Sequence, residues 1–530
     1  MYKVDNAIIM AAGMSSRFVP LSYEVHKGLL PVKGEVLIER QIRQLHEAGI
    51  TDITVVTGYR KDDFRYLKDE FGVDIVENDD YYRYNNPSSL LRVVDRLRNT
   101  YICSCDNYFT ENVFEPVVEK AYYAASFLRG KSNEWGLLTE ATGRITGVDH
   151  SPKDMWCMMG HVFFDEKFSK TFRKILRKNR KKPSVLTRLW EYILEENLDT
   201  LDMDIRKYPD GVVKEFDSLD ELRAFDRRYV NHSGSSIFRN IRRVLKCRED
   251  EIRGIEVIKQ GLTNHSFKFV VGRKAYVYRH PGTGTENYIS RKSEAYSLKV
   301  AKRLGLDTTI IAFSARQGWK ISEYVANAHT LDYHNELEVA KAIKLMRRLH
   351  DAKIKTRYRF DIWGKTCEFI RMAGRAVRKF RDAETLFASM EVLYYQVSRQ
   401  TGPARYLSHC DCYSPNFLIS PKGRMSLIDW EYSGAADYGV DIGTFVCCSD
   451  YTPEETDRFL DKYHGGTGED CFHDYAYIAL AAYYWFVWAV YQKSIGNDVG
   501  EYLELWHSMT RRYLKKATTV NHGGGCERRG

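Results

Sequence analysis

Short apolar runs alternate with a helical pattern along the first 230 residues. The runs at 6–10, 53–57 and 101–105 predict buried strands. Residues 37–48 carry apolar side chains at helical spacing between the first two of these runs. Strands that alternate with helices predict an α/β domain with a doubly wound sheet. A ligand of such a sheet is expected at the carboxyl ends of its strands.

The pattern is interrupted near the middle of the chain. Residues 231–246 are basic and open with Asn-His-Ser-Gly-Ser-Ser, which is typical of a domain junction. We therefore expect a first domain at 1–230, a linker at 231–246 and a second domain at 247–518. The glycine-rich end of the chain, 519–530, is expected to be disordered.

A β-hairpin is predicted within the second domain. Residues 417–420 and 425–428 are apolar, and Pro-Lys-Gly-Arg between them carries turn chemistry. If Ser420 faces Met425, then Asn416 falls opposite Asp429, with Asp411 in the loop ahead. Asn and Asp oxygens suit Mg²⁺, and Asp411 would orient and deprotonate a substrate hydroxyl. The alternative interpretation is a hairpin with polar ends and no catalytic role.

The arrangement His-x-Asp-x-x-x-x-Asn, followed by a strand that ends in Asp429, resembles the catalytic loop of the protein-kinase-like fold. The sequel Ile-Asp-Trp-Glu-Tyr-Ser-Gly resembles the choline/ethanolamine kinases. This resemblance implies a bilobal α+β domain in which Arg279 binds nucleotide phosphates and Glu294 steadies it. It also implies that Glu323 lies on the hinge strand that contacts adenine.

An aromatic segment at 475–491 has two interpretations. It is uncharged and close to the shortest length of a membrane-spanning helix, but its many tyrosines and tryptophans favour a buried helix. It resembles the C-terminal helix of choline kinases, which implies that Trp485 and Trp488 form a choline cage with Glu431 and Tyr432. An aromatic stripe of the core is the alternative.

The first predicted strand leads into Ala11, Ala12 and Gly13 and then to Arg17, a small-residue loop that allows backbone N–H groups to approach phosphates. With Lys27 and the sequence Gly-Leu-Leu-Pro-Val after it, this loop resembles the nucleotidyltransferases that activate sugars and alcohols. The resemblance implies that Arg17 and Lys27 hold the triphosphate and the attacking phosphate. Ser15 and His26 depart from the family pattern, which usually has Gly and Pro there.

A carboxylate at the end of the strand 101–105 predicts a metal site in the first domain. Asp106 is its first ligand, with a helix N-cap as the alternative role. The segment 213–218 resembles the closing metal strand of the nucleotidyltransferases, in which Glu215 and Asp217 would face the Mg²⁺ held by Asp106.

The sequence Tyr-Asn-Asn-Pro-Ser-Ser-Leu at 84–90, with Ser-Asn-Glu-Trp at 132–135, resembles the bacterial phosphocholine cytidylyltransferases. A quaternary ammonium donates no hydrogen bond, so aromatic faces and carboxylates bind it. The predicted phosphocholine cage consists of Trp135, Tyr82, Tyr84 and Trp190, any of which could instead belong to the core.

Composition narrows the class of protein. The 530 residues are 44% hydrophobic and 28% charged, which describes a folded protein of more than one domain. The net charge of +9 is modest and suits anionic nucleotides, and it predicts no binding of nucleic acid. Eleven cysteines without repeated zinc-type pairs, and an apolar opening too short for a signal peptide, predict a cytoplasmic location without membrane insertion. The residues define no oligomeric state.

Together these features predict a bifunctional enzyme of CDP-choline synthesis that uses ATP, CTP, choline, phosphocholine and Mg²⁺. One alternative is a sugar-1-phosphate nucleotidyltransferase fused to a kinase of the aminoglycoside-phosphotransferase kind. A second is a choline-binding protein without catalysis, and a third is ethanolamine as the substrate.

Overall fold

The computed structural model describes residues 1–260, 264–282, 285, 289–466, 471–495 and 499–521. The chain divides into two compact units, Met1–Val257 and Ile258–Gly530. The stretch predicted as a linker contains the helix Ser236–Leu245, and Glu24 of the first unit accepts a hydrogen bond from the backbone N–H of Ser236 at 2.9 Å. Of the predicted tail, residues 519–521 end a helix, and 522–530 lie outside the described residues.

The first unit is built on a mixed sheet, as the sequence predicted. Its centre is parallel, with Ile8 opposite Thr54 on one side and Ile102 on the other, and side chains from both faces are buried. Two further strands extend the sheet. Tyr122–Lys131 pairs with Lys153–Phe164, and Asp204–Tyr208 pairs in turn with Tyr122–Lys131. The order along the main path is Ile145–Asp149, Gly136–Thr139, Lys153–Phe164, Thr100–Ser104, Asn6–Ala11, Ile53–Thr57, Asp74–Glu77.

Helices and a small strand pair complete this unit. The strand Asn107–Phe109 follows the sheet strand that ends in Ser104 and pairs with Val213–Glu215, so that Glu215 lies opposite Asn107. This pairing brings a segment from the end of the unit beside Asp106. The helices are Leu37–Glu47, Tyr66–Phe71, Asn86–Arg92, Glu166–Lys178, Pro183–Leu186, Glu191–Glu195, Leu219–Phe225, Arg228–Asn231 and Ser236–Leu245.

The second unit has the α+β organisation of a kinase-like fold. Its sheet has the order Ile252–Gln260, Asn264–Val271, Lys274–Pro281, Lys320–Glu323, Ile310–Phe313, and the last four strands are antiparallel. The first strand begins six residues before the division between the units at Ile258. The helix Arg291–Arg303 follows the third of these strands in the chain. The remaining helices are Glu336–Asp351, Ile362–Ala373, Ala383–Thr401, Gly439–Cys448, Pro453–His464, Cys471–Ser494 and Tyr502–Asn521.

The predicted hairpin is present, but its register is one residue away from the prediction. Phe417–Ile419 pairs with Met425–Leu427, with Phe417 opposite Leu427. The loop closes between Ser420 and Arg424, because Gly423 adopts the left-handed conformation (φ 75°) that such a short loop requires. Asn416 therefore lies next to Ile428, to which its carbonyl is hydrogen bonded at 2.8 Å. The predicted pairing of Asn416 with Asp429 was wrong.

Helix Cys471–Ser494 contains the aromatic segment and is buried along most of its length. It crosses Gly439–Cys448 so closely that a Cβ atom on Gly439 or Gly443 would collide with Tyr477. Among the described helices, none combines the length and apolarity needed to cross a membrane.

Candidate active sites

The small-residue loop of the first unit follows a buried strand directly. Ala11 and Ala12 are buried, whereas Gly13 is exposed, and the carbonyl of Ala12 accepts a hydrogen bond from Tyr59 N–H at 3.0 Å. Ser15, the first departure from the nucleotidyltransferase pattern, has φ 52°. This is the left-handed region that glycine adopts without strain, so the usual glycine at this position has a physical reason.

Lys27 lies beside Asp106, and the two form an ion pair. Burial disfavours the charged amine, but Asp106 outweighs it and raises the pKa of Lys27 above its ordinary value. Gly28 packs against Cys105, leaving no room for a Cβ atom. The loop that carries Lys27 is thereby held close to the end of the strand that precedes Asp106.

The three predicted metal ligands of the first unit lie together. One carboxylate oxygen each from Asp106, Glu215 and Asp217 falls within 4.8 Å of the other two. Asp106 Oδ1 is buried without a hydrogen-bond partner among the described residues, and Glu215 accepts a bond from Asn107 Nδ2 at 3.1 Å. Burial, and then Asp106, raise the pKa of Glu215 well above its ordinary value. Such a cluster of hard oxygens fits a divalent cation.

Two further charged groups border this cluster. Arg17 Nη1 lies 2.7 Å from Asp217 Oδ2, on a side chain that is 71% exposed. Glu134, which the sequence interpretation did not single out, has its pKa raised to about 7 by burial and by Asp217. Glu134 could have been recognised from the sequence, because it lies in the segment 132–135 that resembles the phosphocholine cytidylyltransferases.

Among the described residues, no ring contact joins the four aromatic residues of the predicted phosphocholine cage to one another. Trp190 is 1% exposed and stacks on Tyr123 at a centroid distance of 6.0 Å, inside the core. Tyr82 is exposed, and Tyr84 packs against the guanidinium of Arg83. Trp135 is half-buried and makes edge contacts with two rings that were not predicted, His150 and Tyr192. Trp190 therefore belongs to the core, which was the alternative interpretation of the sequence. The residues around it come from distant segments of the chain.

In the second unit, Asp411 and Asn416 are joined by hydrogen bonds. Asn416 Nδ2 donates to Asp411 Oδ2 at 2.9 Å, while Asp411 Oδ1 is buried without a partner among the described residues. Burial, and then Asp429, raise the pKa of Asp411 well above its ordinary value. Asp441 accepts the backbone N–H groups of His409 and Cys410 and also contacts His350 at 2.8 Å. The loop is therefore fixed on its buried side.

Arg279 is the centre of a buried ionic network. Its guanidinium pairs with Glu294, lies 3.0 Å from Asp429 Oδ1 and 3.7 Å from Glu431 Oε2. Lys320, which was not predicted as a site residue, lies directly across the strand pair from Arg279 and is also buried. Burial acts in the opposite direction, but Lys320 and Arg279 hold the pKa of Asp429 below its ordinary value.

Glu431 also belongs to this network. Its Oε2 accepts a hydrogen bond from Asn264 Nδ2 at 2.9 Å and lies 3.4 Å from Arg291 Nη1. The partners of Glu431 come from strands and a helix more than 100 residues earlier in the chain, and its place in a choline cage stays a prediction. On the hinge strand, Glu323 has an exposed side chain, and its N–H donates to Thr309 O at 2.8 Å.

The tryptophans of the long helix form an aromatic cluster with Tyr432. Centroid distances are 6.3 Å from Tyr432 to Trp485 and 5.6 Å from Trp485 to Trp488. A third tryptophan, Trp506 of the last helix, lies 5.8 Å from Trp485 and was not predicted. Trp488 is half-buried, so this cluster is partly accessible.

Comparison with known proteins finds a family model that matches part of each half of the chain. A model of the MobA-like NTP transferase domain matches residues 7–155, and a model of the Choline/ethanolamine kinase family matches residues 255–461. The crystal structure of choline kinase LicA from Streptococcus pneumoniae has 27% sequence identity and a TM-score of 0.47, covering 54% of this chain and 100% of that chain.

Two curated relatives align with the first unit over nearly their whole length. The 2-aminoethylphosphonate cytidylyltransferase of Lancefieldella rimae is 32% identical over 42% of this chain and 93% of that protein. The choline-phosphate cytidylyltransferase of Streptococcus pneumoniae is 30% identical over 43% of this chain and 99% of that protein. The chain therefore belongs, through its first unit, to the nucleotidyltransferase family of these cytidylyltransferases, and it joins that domain to a choline/ethanolamine kinase-like domain.

Proposed function

We propose that the chain catalyses two consecutive reactions. The second unit phosphorylates choline with ATP, and the first unit transfers CMP from CTP to phosphocholine, releasing CDP-choline and pyrophosphate. The observation that carries this proposal is the presence in one chain of a kinase-like site and a cytidylyltransferase-like site, the product of the first being a substrate of the second. Both reactions are transfers to an oxygen nucleophile that cationic side chains can align.

In the kinase reaction, Asp411 accepts the proton of the choline hydroxyl through its unpartnered oxygen. Arg279 stabilises negative charge on the phosphate groups of ATP, and Glu294 holds it in place. Asn416 and Asp429 would bind Mg²⁺, which supplies charge neutralisation on the transferring phosphoryl group. The cluster of Tyr432, Trp485 and Trp488 would contact the trimethylammonium group, with Trp506 behind it.

In the cytidylyl transfer, Lys27 and Arg17 align the phosphate of phosphocholine with the α-phosphorus of CTP. Ala11, Ala12 and Gly13 would bring backbone groups close to the triphosphate. Asp106, Glu215 and Asp217 would hold Mg²⁺ against that triphosphate. Trp135 and Tyr192 offer aromatic surfaces for the trimethylammonium group, with Tyr82 and Tyr84 as further candidates on the accessible side.

A second candidate acceptor is 2-aminoethylphosphonate, because one relative of the first unit carries that name. The attached kinase-like domain favours phosphocholine instead. A kinase that transfers a phosphoryl group to a hydroxyl makes an O–P bond, whereas 2-aminoethylphosphonate contains a C–P bond that such a reaction does not form. The second unit would therefore have no role in supplying this acceptor.

The test is the substrate dependence of the purified full chain. Pyrophosphate release is measured with CTP or UTP and Mg²⁺ in the presence of phosphocholine, phosphoethanolamine, 2-aminoethylphosphonate or glucose 1-phosphate. ATP consumption is measured with choline, ethanolamine or an aminoglycoside. We expect the highest kcat/KM with CTP plus phosphocholine and with ATP plus choline, and formation of CDP-choline from choline, ATP and CTP together.

Other outcomes identify the alternatives. CTP turnover with 2-aminoethylphosphonate alone would overturn the acceptor assignment, and UTP turnover with glucose 1-phosphate would support the sugar pathway. Absence of both turnovers would support a binding protein. Replacement of Mg²⁺ by Ca²⁺ is expected to abolish both reactions, and retained rates would contradict the choice of Mg²⁺. A cytoplasmic location stays a prediction.

A further inference from the structure

His26 connects the two loops that carry the proposed reactant-aligning cations. It is 1% exposed. Its Nδ1 accepts a hydrogen bond from the backbone N–H of Gly28 at 3.1 Å, and its Nε2 lies 3.0 Å from the carbonyl oxygen of Gly13. A backbone N–H only donates and a carbonyl oxygen only accepts, so the ring carries its single proton on Nε2. One neutral imidazole thereby bridges the loop of Gly13 and the loop of Gly28.

The surroundings of the ring favour this neutral form. Phe64 makes an edge contact at a centroid distance of 4.8 Å, and Tyr59 lies 6.5 Å away. Burial and the adjacent Lys27 lower the pKa of His26 to about 4. His26 is therefore neutral throughout the neutral pH range, and its Nδ1 can accept the hydrogen bond from Gly28 N–H.

The two bridged loops are fixed to different degrees by packing. The Gly28 loop rests against Cys105, but around Gly13 no heavy atom of the described chain, its own neighbours aside, lies within 4 Å of where a Cβ would stand. Ser15, two residues later, has the left-handed conformation that is unfavourable for a residue with a Cβ atom. The contact with His26 is thus a restraint on this loop beyond the hydrogen bond from Tyr59 N–H to the Ala12 carbonyl and the ion pair of Arg17 with Asp217.

We infer that His26 is a positioning residue for nucleotidyl transfer, which sets the spacing between the Gly13 loop with Arg17 and the loop with Lys27. It acts through these loops and touches neither reactant. The inference rests on the nucleotidyltransferase function proposed for the first unit. Proline, the usual residue at this position in the pattern that the sequence resembles, has no side-chain acceptor or donor and could not form this bridge.

Three substitutions separate the two hydrogen bonds. His26→Asn retains an acceptor near the position of Nδ1, His26→Gln retains a donor near the position of Nε2, and His26→Ala removes both. We expect His26→Ala to lower kcat/KM for CTP by about tenfold, chiefly through a higher KM, because two buried hydrogen bonds are lost. The Asn and Gln variants should fall between this variant and the wild type. The choline kinase activity of the same chain serves as the control and should stay within about twofold.

Chemical rescue distinguishes positioning from folding. Imidazole added to His26→Ala should restore CTP turnover at least severalfold, whereas 1-methylimidazole, which lacks the N–H donor, should restore less. Wild-type CTP kinetics in His26→Ala would overturn the inference. Parallel loss of both activities without rescue would assign His26 to folding and would also overturn it. A wild-type chain that turns over no CTP with any acceptor would refute the proposed function instead, and this measurement comes first.

Discussion

The two candidate sites balance their acidic groups in different ways. In the first unit each cation contacts a different carboxylate of the acidic cluster: Lys27 contacts Asp106 and the exposed Arg17 contacts Asp217. In the second unit the buried Arg279 is shared by Glu294, Asp429 and Glu431, and Arg291 contacts two of the same carboxylates. The comparison teaches that loss of one cation breaks a single ion pair at the first site, whereas loss of Arg279 at the second site removes a cation that three carboxylates share.

The largest effect is expected at the proposed base of the kinase site. Asp411→Asn should lower choline-dependent ATP consumption by about 10²–10⁴-fold, because an amide does not accept the hydroxyl proton. Cytidylyl transfer by the first unit should be unchanged, which makes it the control for an intact chain. Steady-state rates of ADP and pyrophosphate release measure the two activities. A residual kinase rate within tenfold of the wild type would contradict the role of Asp411.

The next prediction compares the ion pairs shared by Arg279 with the single ion pair of Arg17. Arg279→Met should destabilise the second unit by roughly 3–5 kcal/mol, because it leaves buried carboxylates without their cation. Arg17→Met should cost less than about 1 kcal/mol, because its ion pair is mostly exposed. Urea titrations followed by circular dichroism report the two stabilities, because both arginines also serve the proposed reactions. Similar shifts for the two variants would remove the distinction between the sites.

A tryptophan from each unit provides a third test. Trp190→Ala should destabilise the first unit by roughly 3–5 kcal/mol, because Trp190 is core. Trp485→Ala should raise KM for choline more than KM for ATP, because Trp485 belongs to the aromatic cluster beside Tyr432. Unfolding midpoints and substrate titrations measure these effects. Equal effects of Trp485→Ala on choline and ATP would place this tryptophan outside the substrate site.

The smallest effect is a pH dependence of the second unit. Burial opposes the charged form of His473, but its contacts with Asp437 at 2.7 Å and with Asp474 at 3.3 Å outweigh it and raise the pKa to about 9. A pKa raised above its unfolded value, about 6.5, gives stability that is complete below pH 6.5 and lost as the pH rises through 9.

The wild-type protein should therefore lose roughly 1–3 kcal/mol of stability in the second unit between pH 6.5 and 9, with a flatter profile for His473→Gln. The urea midpoint of kinase activity, measured at several pH values, provides the comparison. The midpoint for cytidylyl transfer is the control and should show the same profile in both proteins. A wild-type urea midpoint of kinase activity that rises between pH 6.5 and 9 would contradict this prediction.

The first strands and helices of the first unit could be predicted because each run of apolar residues belongs to one element. Residues 53–57, for example, form the strand as predicted. Asp411, Asn416 and Asp429 were recognisable for a similar reason, since a short segment of the second unit contains all three. Local patterns therefore identified the fold class and the candidate acids.

The remaining features depend on contacts between distant segments. The hairpin register was missed by one residue because Gly423 closes a shorter loop than the count assumed. Trp190 was predicted in a cage because neither its spacing nor its chemistry reveals its neighbours Tyr123 and Phe164. Trp506 and Lys320 escaped prediction since their relevance arises only from their partners in space.

The close crossing at Gly439 and Gly443 has a consequence for substrate length. It fixes the helix of Asp441, which holds the catalytic loop, against the helix of Trp485. If Asp411 and the aromatic cluster bind choline as proposed, this crossing should hold the separation between them constant. We then expect an alcohol whose hydroxyl and ammonium are one methylene further apart to be a poorer substrate.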